Sequence, residues 1–389
     1  MEPQIAADKL AKRGALTSFR INLRTYMMVI ALVGIWLIFT VLTRAIFITP
    51  RNITNLFRQS VFTALLAIGM VNVIILGQID LSVGSVAGLC GGVLAICNVW
   101  KGLTPGLSIL ITLLVGITVG AWNGWWVAYR KVPAFIVTMA GLLVFRGVLI
   151  GLTDGITVGP LDPFFKTIGK DFLSFRFGFL IGAVSIVLLL VSQYRERRAK
   201  IKHRFIVPSR KSEMLRSFVS IFLVGLFIVI MNLYHGIPNP VIGLLFFFIV
   251  FQYITKRTVF GRRTYAIGGN RIASRLVGIN IERHTLIVYI LSGLMVAIAG
   301  IFLTSRLDSA SVDAGTSAEL DAIAACVIGG TSLMGGIGTV FGAVIGAIVM
   351  SSLDNGMSLM DAPFFWQIIV KGLVLLIAVW VDMTSKSKG

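Results

Sequence analysis

Long apolar runs alternate with short polar segments along most of the 389-residue chain. Many runs extend for about 18 residues or more without a charge, which is the length a helix needs to cross the hydrocarbon core of a bilayer. The pattern predicts an all-α, polytopic membrane protein with about twelve transmembrane helices, within a range of ten to twelve. The predicted spans are Met27–Ile46, Ser60–Gly77, Leu81–Trp100, Leu107–Ala128, Ala134–Leu152, Phe177–Val191, Phe218–Leu233, Ile237–Ile254, Thr285–Leu303, Leu320–Leu333, Ile337–Leu353 and Phe364–Val381.

The sixth, tenth and eleventh predicted spans are short. Each holds roughly 14–17 residues, whereas a helix that crosses a bilayer needs about 20. A shorter segment can enter the membrane as a half-helix or a re-entrant segment where protein or water surrounds its free backbone groups. We therefore expect some of the membrane helices to be broken or re-entrant.

The basic residues predict which side of the membrane each loop faces. Most of the 35 Lys and Arg residues fall in segments that alternate with less basic loops: residues 1–26, the turn at 130–131, the loop 195–216, the loop 256–284 and the tail 383–389. The positive-inside rule places these segments in the cytoplasm, so both termini are predicted to be cytoplasmic, with residues 27–382 as one transmembrane domain. Because the basic residues form no contiguous face, the net charge of +19 does not indicate a nucleic-acid partner.

The sequence contains no motif of an enzyme or a metal site. It has no phosphate-binding loop of the form GxxxxGK[ST], and its three histidines are scattered. Cys90, Cys97 and Cys326 lie in apolar runs without metal-type spacing, so we expect them to be small packing residues. We expect no catalytic residue, no metal and no cofactor bound by this chain.

Polar residues within or between the spans are candidates for a translocation path. Asp80, in GQIDLSVGS, either caps the third span or contacts a substrate at a break between helices, and the sequence leaves both interpretations open. The glycines of the tenth and eleventh spans either allow close helix packing or break the helix beside the path. The candidate path residues are Asp80, Ser82, Asn72, Asn123, Gly329 and Gly330.

Other residues within the spans favour structural roles. Arg146 and Lys371 lie well inside predicted spans, where a charge requires a partner or a route to the interface, so we expect them to pair within the bundle or to snorkel. Three tryptophans and a tyrosine between Trp122 and Tyr129 are typical of an interfacial aromatic belt, with stacking on a sugar as the alternative.

The loop 256–284 has the features of a docking element. Its sequence GGNRIASRLVGIN predicts a short amphipathic helix that Asn270 caps and that presents Ile272 and Leu276. Such a helix fits either a groove on a partner protein or the anionic surface of the inner leaflet, and its spacing favours neither.

Longer stretches resemble a known family. The segments GRRTYAIGGNRIASRLVGIN, ELDAIAACVIGGTSLMGGIGTVFGAVIGA and FFWQIIVKGLVLLIAVWVD are similar to permease subunits of bacterial ABC importers for monosaccharides, the ribose, xylose, arabinose and galactoside group. The resemblance extends from roughly Pro50 to Asp382. The stretch GAWNGWWVAYRKVPAFIVTMAGLLVFRGVLIG, the turn NVWKG and an extra pair of spans around the loop 195–216 resemble the xylose-specific members.

The resemblance implies an ABC-importer permease fold in the bacterial inner membrane and transport of a monosaccharide, for which we expect D-xylose. It also implies three partners: a second copy of the permease, a cytoplasmic ATPase that binds ATP and Mg, and a periplasmic sugar-binding protein. The alternatives are a permease for ribose or galactose and a stand-alone, ion-coupled sugar symporter.

The same resemblance assigns residues to the partners. It carries ATPase coupling onto Gly268, Gly269, Asn270, Arg271, Arg275, Leu276, Gly278 and Asn280. Asp308, Asp313 and Glu319 either contact the sugar-binding protein or are solvated loop charges.

Overall fold

The computed structural model describes residues 28–202 and 210–387, and most of these residues are helical. The helices are α1 (Met28–Leu42), α2 (Pro50–Ile75), α3 (Val83–Ala95, continued by a π-helical turn at Ile96–Trp100), α4 (Pro105–Ala128), α5 (Ala134–Thr153), α6 (Pro163–Gly169), α7 (Phe175–Lys202), α8 (Arg210–Asn232), α9 (Asn239–Arg257), α10 (Val259–Gly269), α11 (Arg271–Leu276), α12 (Ile281–Leu307), α13 (Ala318–Ile328), α14 (Val340–Leu359) and α15 (Phe364–Ser387). Two-residue strands β1 (Phe172–Leu173) and β2 (Ile237–Pro238) pair antiparallel. The all-α prediction is confirmed.

Ten of the described helices are long and apolar enough to cross a membrane, and α1 is a shorter apolar helix. The sixth and eleventh spans are not short as expected, because α7 has 28 residues and α14 has 20. Both helices extend beyond their apolar runs into polar residues, which a prediction based on apolar runs leaves out. At the tenth span the expectation is confirmed, since α13 has only 11 residues. The predicted segment 1–26, residues 203–209 of the basic loop and residues 388–389 lie outside the described residues.

The core of the bundle is built around α2 and α12. Of the most apolar 18 residues of α2, 78% are buried, compared with 0% for α15. Glycines bring α4 and α12 into backbone contact: a Cβ atom on Gly293 would lie 2.2 Å from the carbonyl oxygen of Gly116. Small residues at such crossings let membrane helices pack tightly without a hydrophobic driving force. The central helices therefore form a closely packed unit, with α7, α8 and α15 at its periphery.

The loops define two ends of the bundle. α10 meets the C-terminus of α2 where Gly268 lies against Ile75, and we call this the basic end. At the other end, the distal end, α6 packs against the C-terminus of α12, where a Cβ on Gly169 would lie 2.4 Å from the amide nitrogen of Arg306. The positive-inside rule predicts that the basic end is cytoplasmic.

Candidate translocation and coupling site

Residues 308–317 turn back into the bundle after α12 ends, and we call them the re-entrant segment. Ala310 pairs with Val158 through two backbone hydrogen bonds of 3.0 and 2.9 Å at the distal end. Further along, the guanidinium of Arg146 donates to the carbonyl oxygens of Val312 and Ala314. Arg146 lies seven residues before the last residue of α5, which is about 10 Å from its distal end. The segment therefore enters the membrane region as non-helical backbone.

Glycines allow the re-entrant segment to lie against α3. A Cβ on Gly84 would lie 2.4 Å from the carbonyl oxygen of Gly315, and Gly315 itself adopts a left-handed φ of +73°. Any side chain at position 84 would clash with the backbone of the re-entrant segment. The segment can therefore lie against the first turn of α3 only because residue 84 is glycine. α13 begins at this depth, after a short left-handed turn at Ser317.

α13 completes the crossing that the re-entrant segment begins. The Sγ atom of Cys326 lies 3.5 Å from the carbonyl oxygen of Ala67 on α2, and the helix ends at Ile328. In the following loop, residues 329–339, the amide of Gly336 donates to the carbonyl of Ile75 at 2.8 Å. The re-entrant segment and α13 thus join the distal end to the basic end. This composite crossing, the ten long helices and α1 account for the twelve predicted spans.

One face of the composite crossing is exposed in the single chain. Asp313, Thr316, Ser317 and Leu320 are exposed between α5 and α15. Non-helical backbone at membrane depth is tolerated only against protein or a water-filled cavity, because lipid cannot satisfy its polar groups. We call this surface the re-entrant face and take it as the candidate translocation face. Sequence reasoning missed Thr316 and Ser317 because it placed their polar stretch in an outer loop.

An ion triad joins α13, α14 and α15 beside this face. The Nζ atom of Lys371 lies 2.9 Å from Oδ2 of Asp321 and 2.9 Å from Oδ1 of Asp354. The side chains are 25%, 15% and 34% exposed, respectively. The expectation that Lys371 pairs within the bundle is confirmed. Arg146 also pairs, but with the backbone carbonyls of the re-entrant segment.

Asp80 is not the N-cap of α3, since that position belongs to Ser82. Its Oδ1 atom accepts hydrogen bonds from the Ser82 amide at 2.9 Å and the Ser82 hydroxyl at 2.6 Å. The Nδ2 atom of Asn123 on α4 donates to the Ser82 hydroxyl at 2.9 Å. Asp80 is only 5% exposed, so in this conformation its carboxylate closes the α2–α3 loop against α4. A contact with substrate stays a prediction.

The remaining path candidates pack between helices. Oδ1 of Asn72 accepts from the Thr255 hydroxyl at 3.2 Å, between α2 and α9. Gly329 lies against α14, where its Cβ would be 2.3 Å from the carbonyl oxygen of Gly342, and Gly330 has a left-handed φ of +81°. The glycines therefore both pack closely and end α13, while their position beside a translocation path stays a prediction. Neither asparagine is exposed on the re-entrant face.

The loop 256–284 forms two short helices, α10 and α11, rather than one. Oδ1 of Asn270 accepts from the Ala273 amide at 2.9 Å, which confirms the predicted cap of α11. Asn280 caps α12 by accepting from the Arg283 amide at 2.8 Å. Ile272 and Leu276, which are 76% and 83% exposed, leave α11 with an apolar outer surface at the basic end.

Other coupling candidates shape the turns around α11. Gly278 has a left-handed φ of +80°, which ends α11 at little steric cost. Arg275 pairs with Glu282 at the start of α12, and Arg271 is exposed. Gly269 has open space around its Cα.

α10 contacts the loop 329–339 directly. The hydroxyl of Tyr265 donates to the carbonyl oxygen of Gly338 at 2.6 Å. Burial raises the pKa of Tyr265 above its ordinary value, so the hydroxyl stays protonated and keeps this bond. Gly268 lies against both Ile75 and Gly336. Tyr265 could not be singled out from the sequence, because its role depends on a loop more than 70 residues away.

The three acidic candidates for partner contact have different environments. Oδ2 of Asp308 lies 3.3 Å from the Lys170 Nζ, and its Oδ1 accepts from the Leu161 amide at 3.2 Å, so Asp308 braces the distal end. Asp313 is exposed. Glu319 is only 9% exposed and lies beside Gly84. The re-entrant segment carries Glu319 into the bundle, so it is not a solvated loop charge, and a contact with the sugar-binding protein stays a prediction.

Comparison with known proteins adds a family to this architecture. The family described as "Branched-chain amino acid transport system / permease component" matches residues 52–379. The xylose transport system permease protein of Escherichia coli K12 is 51% identical over 95% of this chain and 94% of the relative. That of Haemophilus influenzae is 48% identical over 95% and 98%, respectively. The ribose import permease protein of Bacillus subtilis is 36% identical over 86% of each chain. No solved structure matches the chain.

Proposed function

Because the chain belongs to the family of branched-chain amino acid transport system permease components, we propose that it is the permease of an ATP-driven monosaccharide importer with D-xylose as substrate. The observation that carries the proposal is the 51% identity to a xylose transport system permease over 95% of the chain. The ribose relative is 36% identical over a smaller share of the chain, 86%, which favours xylose over ribose. The proposed location is the bacterial inner membrane, with the basic end and both termini in the cytoplasm.

A second copy of the chain completes the path in this proposal. The re-entrant face carries non-helical backbone and polar side chains at membrane depth, and the ion triad beside it is partly exposed. Lipid is a poor solvent for both, whereas a protein partner or a water-filled channel satisfies them. Two copies that meet around this face would enclose the channel between them.

The energy comes from a separate cytoplasmic ATPase, which binds ATP and Mg. The exposed apolar side of α11 fits a groove on such a partner. From α11 a continuous set of contacts leads inward: α10 holds the loop 329–339 through Tyr265 and Gly268, and this loop continues into α13. Movement of α10 would therefore displace α13 and, through it, the re-entrant segment.

At the distal end, a periplasmic sugar-binding protein would deliver the substrate. Asp308 and Lys170 hold the loops there in one arrangement, whereas the exposed Asp313 lies deeper, between the two residues whose carbonyls Arg146 holds. Asp308→Asn should loosen the distal loops and weaken the complex with the sugar-binding protein, while Asp313→Asn should leave that complex intact.

Uptake by proteoliposomes tests the class of transporter. Vesicles that hold the permease, the ATPase and ATP should take up xylose when the sugar-binding protein is supplied outside. Vesicles with the permease alone and an imposed proton or sodium gradient should take up none. Gradient-driven uptake without the ATPase would establish the ion-coupled symporter and refute the proposal.

The docking role of α11 has its own test. Leu276→Asp places a charge on the apolar side of α11 without disturbing the core, so we expect the ATPase to dissociate while the fold is retained. Leu276→Met keeps an apolar side chain and serves as the matched control. Normal ATPase binding and uptake in Leu276→Asp would place the docking surface elsewhere.

A further inference from the structure

A cavity of about 580 Å³ opens at the basic end, next to α11. Four parts of the chain that are distant in sequence enclose it: the α2–α3 loop, the α4–α5 turn, α11 and the first turn of α12. Its lining includes Gln78, Lys131, Phe135, Arg271, Arg275 and Glu282. Of the contacts described above, the ion pair of Arg275 with Glu282 lies in this lining.

The lining is positively charged. Three of its side chains are cationic and one, Glu282, is a carboxylate that pairs with Arg275. Lys131 and Arg271 form no ion pair with any of the described residues. Two cations that converge on a cavity of this volume provide a site for a phosphate group, because Arg and Lys both bind phosphate through charge-assisted hydrogen bonds.

The lining also contains an unused hydrogen-bond acceptor. The Oε1 atom of Gln78 is buried and accepts no hydrogen bond from the described residues. A buried acceptor without a donor is unfavourable, because it has lost its hydrogen bonds to water and gained none from the protein. A ligand that supplies a hydroxyl next to its phosphate would satisfy both the cations and this oxygen.

The mouth of the cavity lies at the depth of lipid headgroups. Trp125 and Tyr129, at the end of α4, are 37% and 47% exposed, and Phe135 and Ile136, at the start of α5, are 50% and 57% exposed. Aromatic residues at the end of a membrane helix mark the interface between hydrocarbon and water. An apolar surface therefore continues from the cavity along α5, where acyl chains would lie.

We propose that this cavity binds the headgroup of an anionic phospholipid, with phosphatidylglycerol as the species that fits best. Lys131 and Arg271 hold the phosphate, and a glycerol hydroxyl donates to Gln78. Basic pockets between membrane helices on the cytoplasmic side are a recognised type of site for anionic lipids. The bound lipid bridges the α4–α5 turn and α11, so it holds α11 in position for its partner. Lipid binding itself does not depend on the proposed sugar or ATPase.

Native mass spectrometry of the full-length protein from phosphatidylglycerol/phosphatidylcholine nanodiscs tests the site. Wild type should retain phosphatidylglycerol. The double variant Lys131→Gln/Arg271→Gln should bind it about 30-fold more weakly, since each basic residue near an anionic lipid contributes about fivefold. Arg130→Gln is the matched control, because Arg130 does not line the cavity. Its Cζ atom lies 4.5 Å from the centroid of the Trp125 ring. Equal losses in the control and the double variant would mean general surface attraction and overturn the proposal.

Three further measurements decide the source of the phosphate and the integrity of the variants. Displacement of the lipid by millimolar inorganic phosphate or glycerol 3-phosphate would show a site for soluble phosphates and refute a lipid site. Gln78→Leu should remove the preference for phosphatidylglycerol over phosphatidic acid while the fold is kept, and an unchanged preference would contradict the assigned hydroxyl contact. If the double variant keeps its lipid but loses the ATPase, the cavity serves that partner and the proposal is wrong.

Discussion

The two adjacent glycines at the end of α10 offer a sharp test of how α10 is joined to the membrane helices. Sequence reasoning treats Gly268 and Gly269 alike, as flexible residues at a loop-to-helix junction. In the structure their surroundings are opposite. A Cβ on Gly268 would lie 1.7 Å from the carbonyl oxygen of Ile75 and 2.7 Å from the amide nitrogen of Gly336, whereas a Cβ on Gly269 meets nothing within 4 Å.

The geometry sets the size of the effect. Ordinary contact begins at about 3.4 Å, so Gly268→Ala requires α10 to move away from α2 by about 1.7 Å. Both clashing atoms are backbone, and no side-chain rotation relieves the contact. Overpacking of this kind costs about 1–3 kcal/mol. The hydrogen bond from Gly336 to Ile75 lies at the same place, and its loss adds about 1 kcal/mol.

We expect Gly268→Ala to lower the free energy of unfolding by about 3 kcal/mol and to reduce ATP-driven uptake. Gly269→Ala should be neutral or stabilising by about 0.5 kcal/mol, because alanine restricts the unfolded chain. Denaturant titration of both purified variants gives the free energies, and uptake together with ATPase activity in proteoliposomes gives the coupling. Similar stability for the two variants would refute the close contact between α10 and α2.

Three further predictions concern the charged residues. Lys371→Met should lower the free energy of unfolding by about 2–3 kcal/mol, somewhat below the cost of breaking a fully buried ion pair. Adding Asp321→Asn and Asp354→Asn to this variant should restore most of the lost stability, and a triple variant no more stable than Lys371→Met would contradict the triad. Arg146→Met should raise amide hydrogen exchange in the re-entrant segment and reduce uptake, and Arg146→Lys should recover part of both. Unchanged exchange would show that the hydrogen bonds from Arg146 do not hold this segment in place. Asp80→Asn should transport nearly normally because an amide oxygen still accepts both hydrogen bonds, whereas Asp80→Ala should not; loss in both variants would place the charge in the path.

The membrane helices could be predicted from the sequence because the bilayer imposes a length and an apolarity that each span must satisfy alone. The cap at Asn270 could also be predicted, since a cap depends on residues three positions apart. The path could not. Arg146 acts on carbonyls 166 and 168 residues later, and the sequence carries no record of that pairing.

Other errors have the same physical origin. Asp80 looked like an N-cap because it precedes an apolar run, but its bonds to Ser82 start the helix two residues later. Glu319 looked like a loop residue because its surroundings are polar, yet a non-helical backbone carries it into the bundle. Polar sequence indicates contact with water at the surface or within a protected channel, and only the fold distinguishes the two.

The short length of α13 has a consequence for how the chain enters the membrane during synthesis. At 11 residues, or about 16 Å, and with Glu319 and Asp321 in its first turn, α13 cannot partition into lipid as an independent helix. Lys371, the cation that pairs with Asp321, is made 50 residues later. A growing chain that has completed α12 must therefore keep this segment outside the hydrocarbon until α14 and α15 are in place. The last crossing in sequence supplies the charge that allows an earlier one to form.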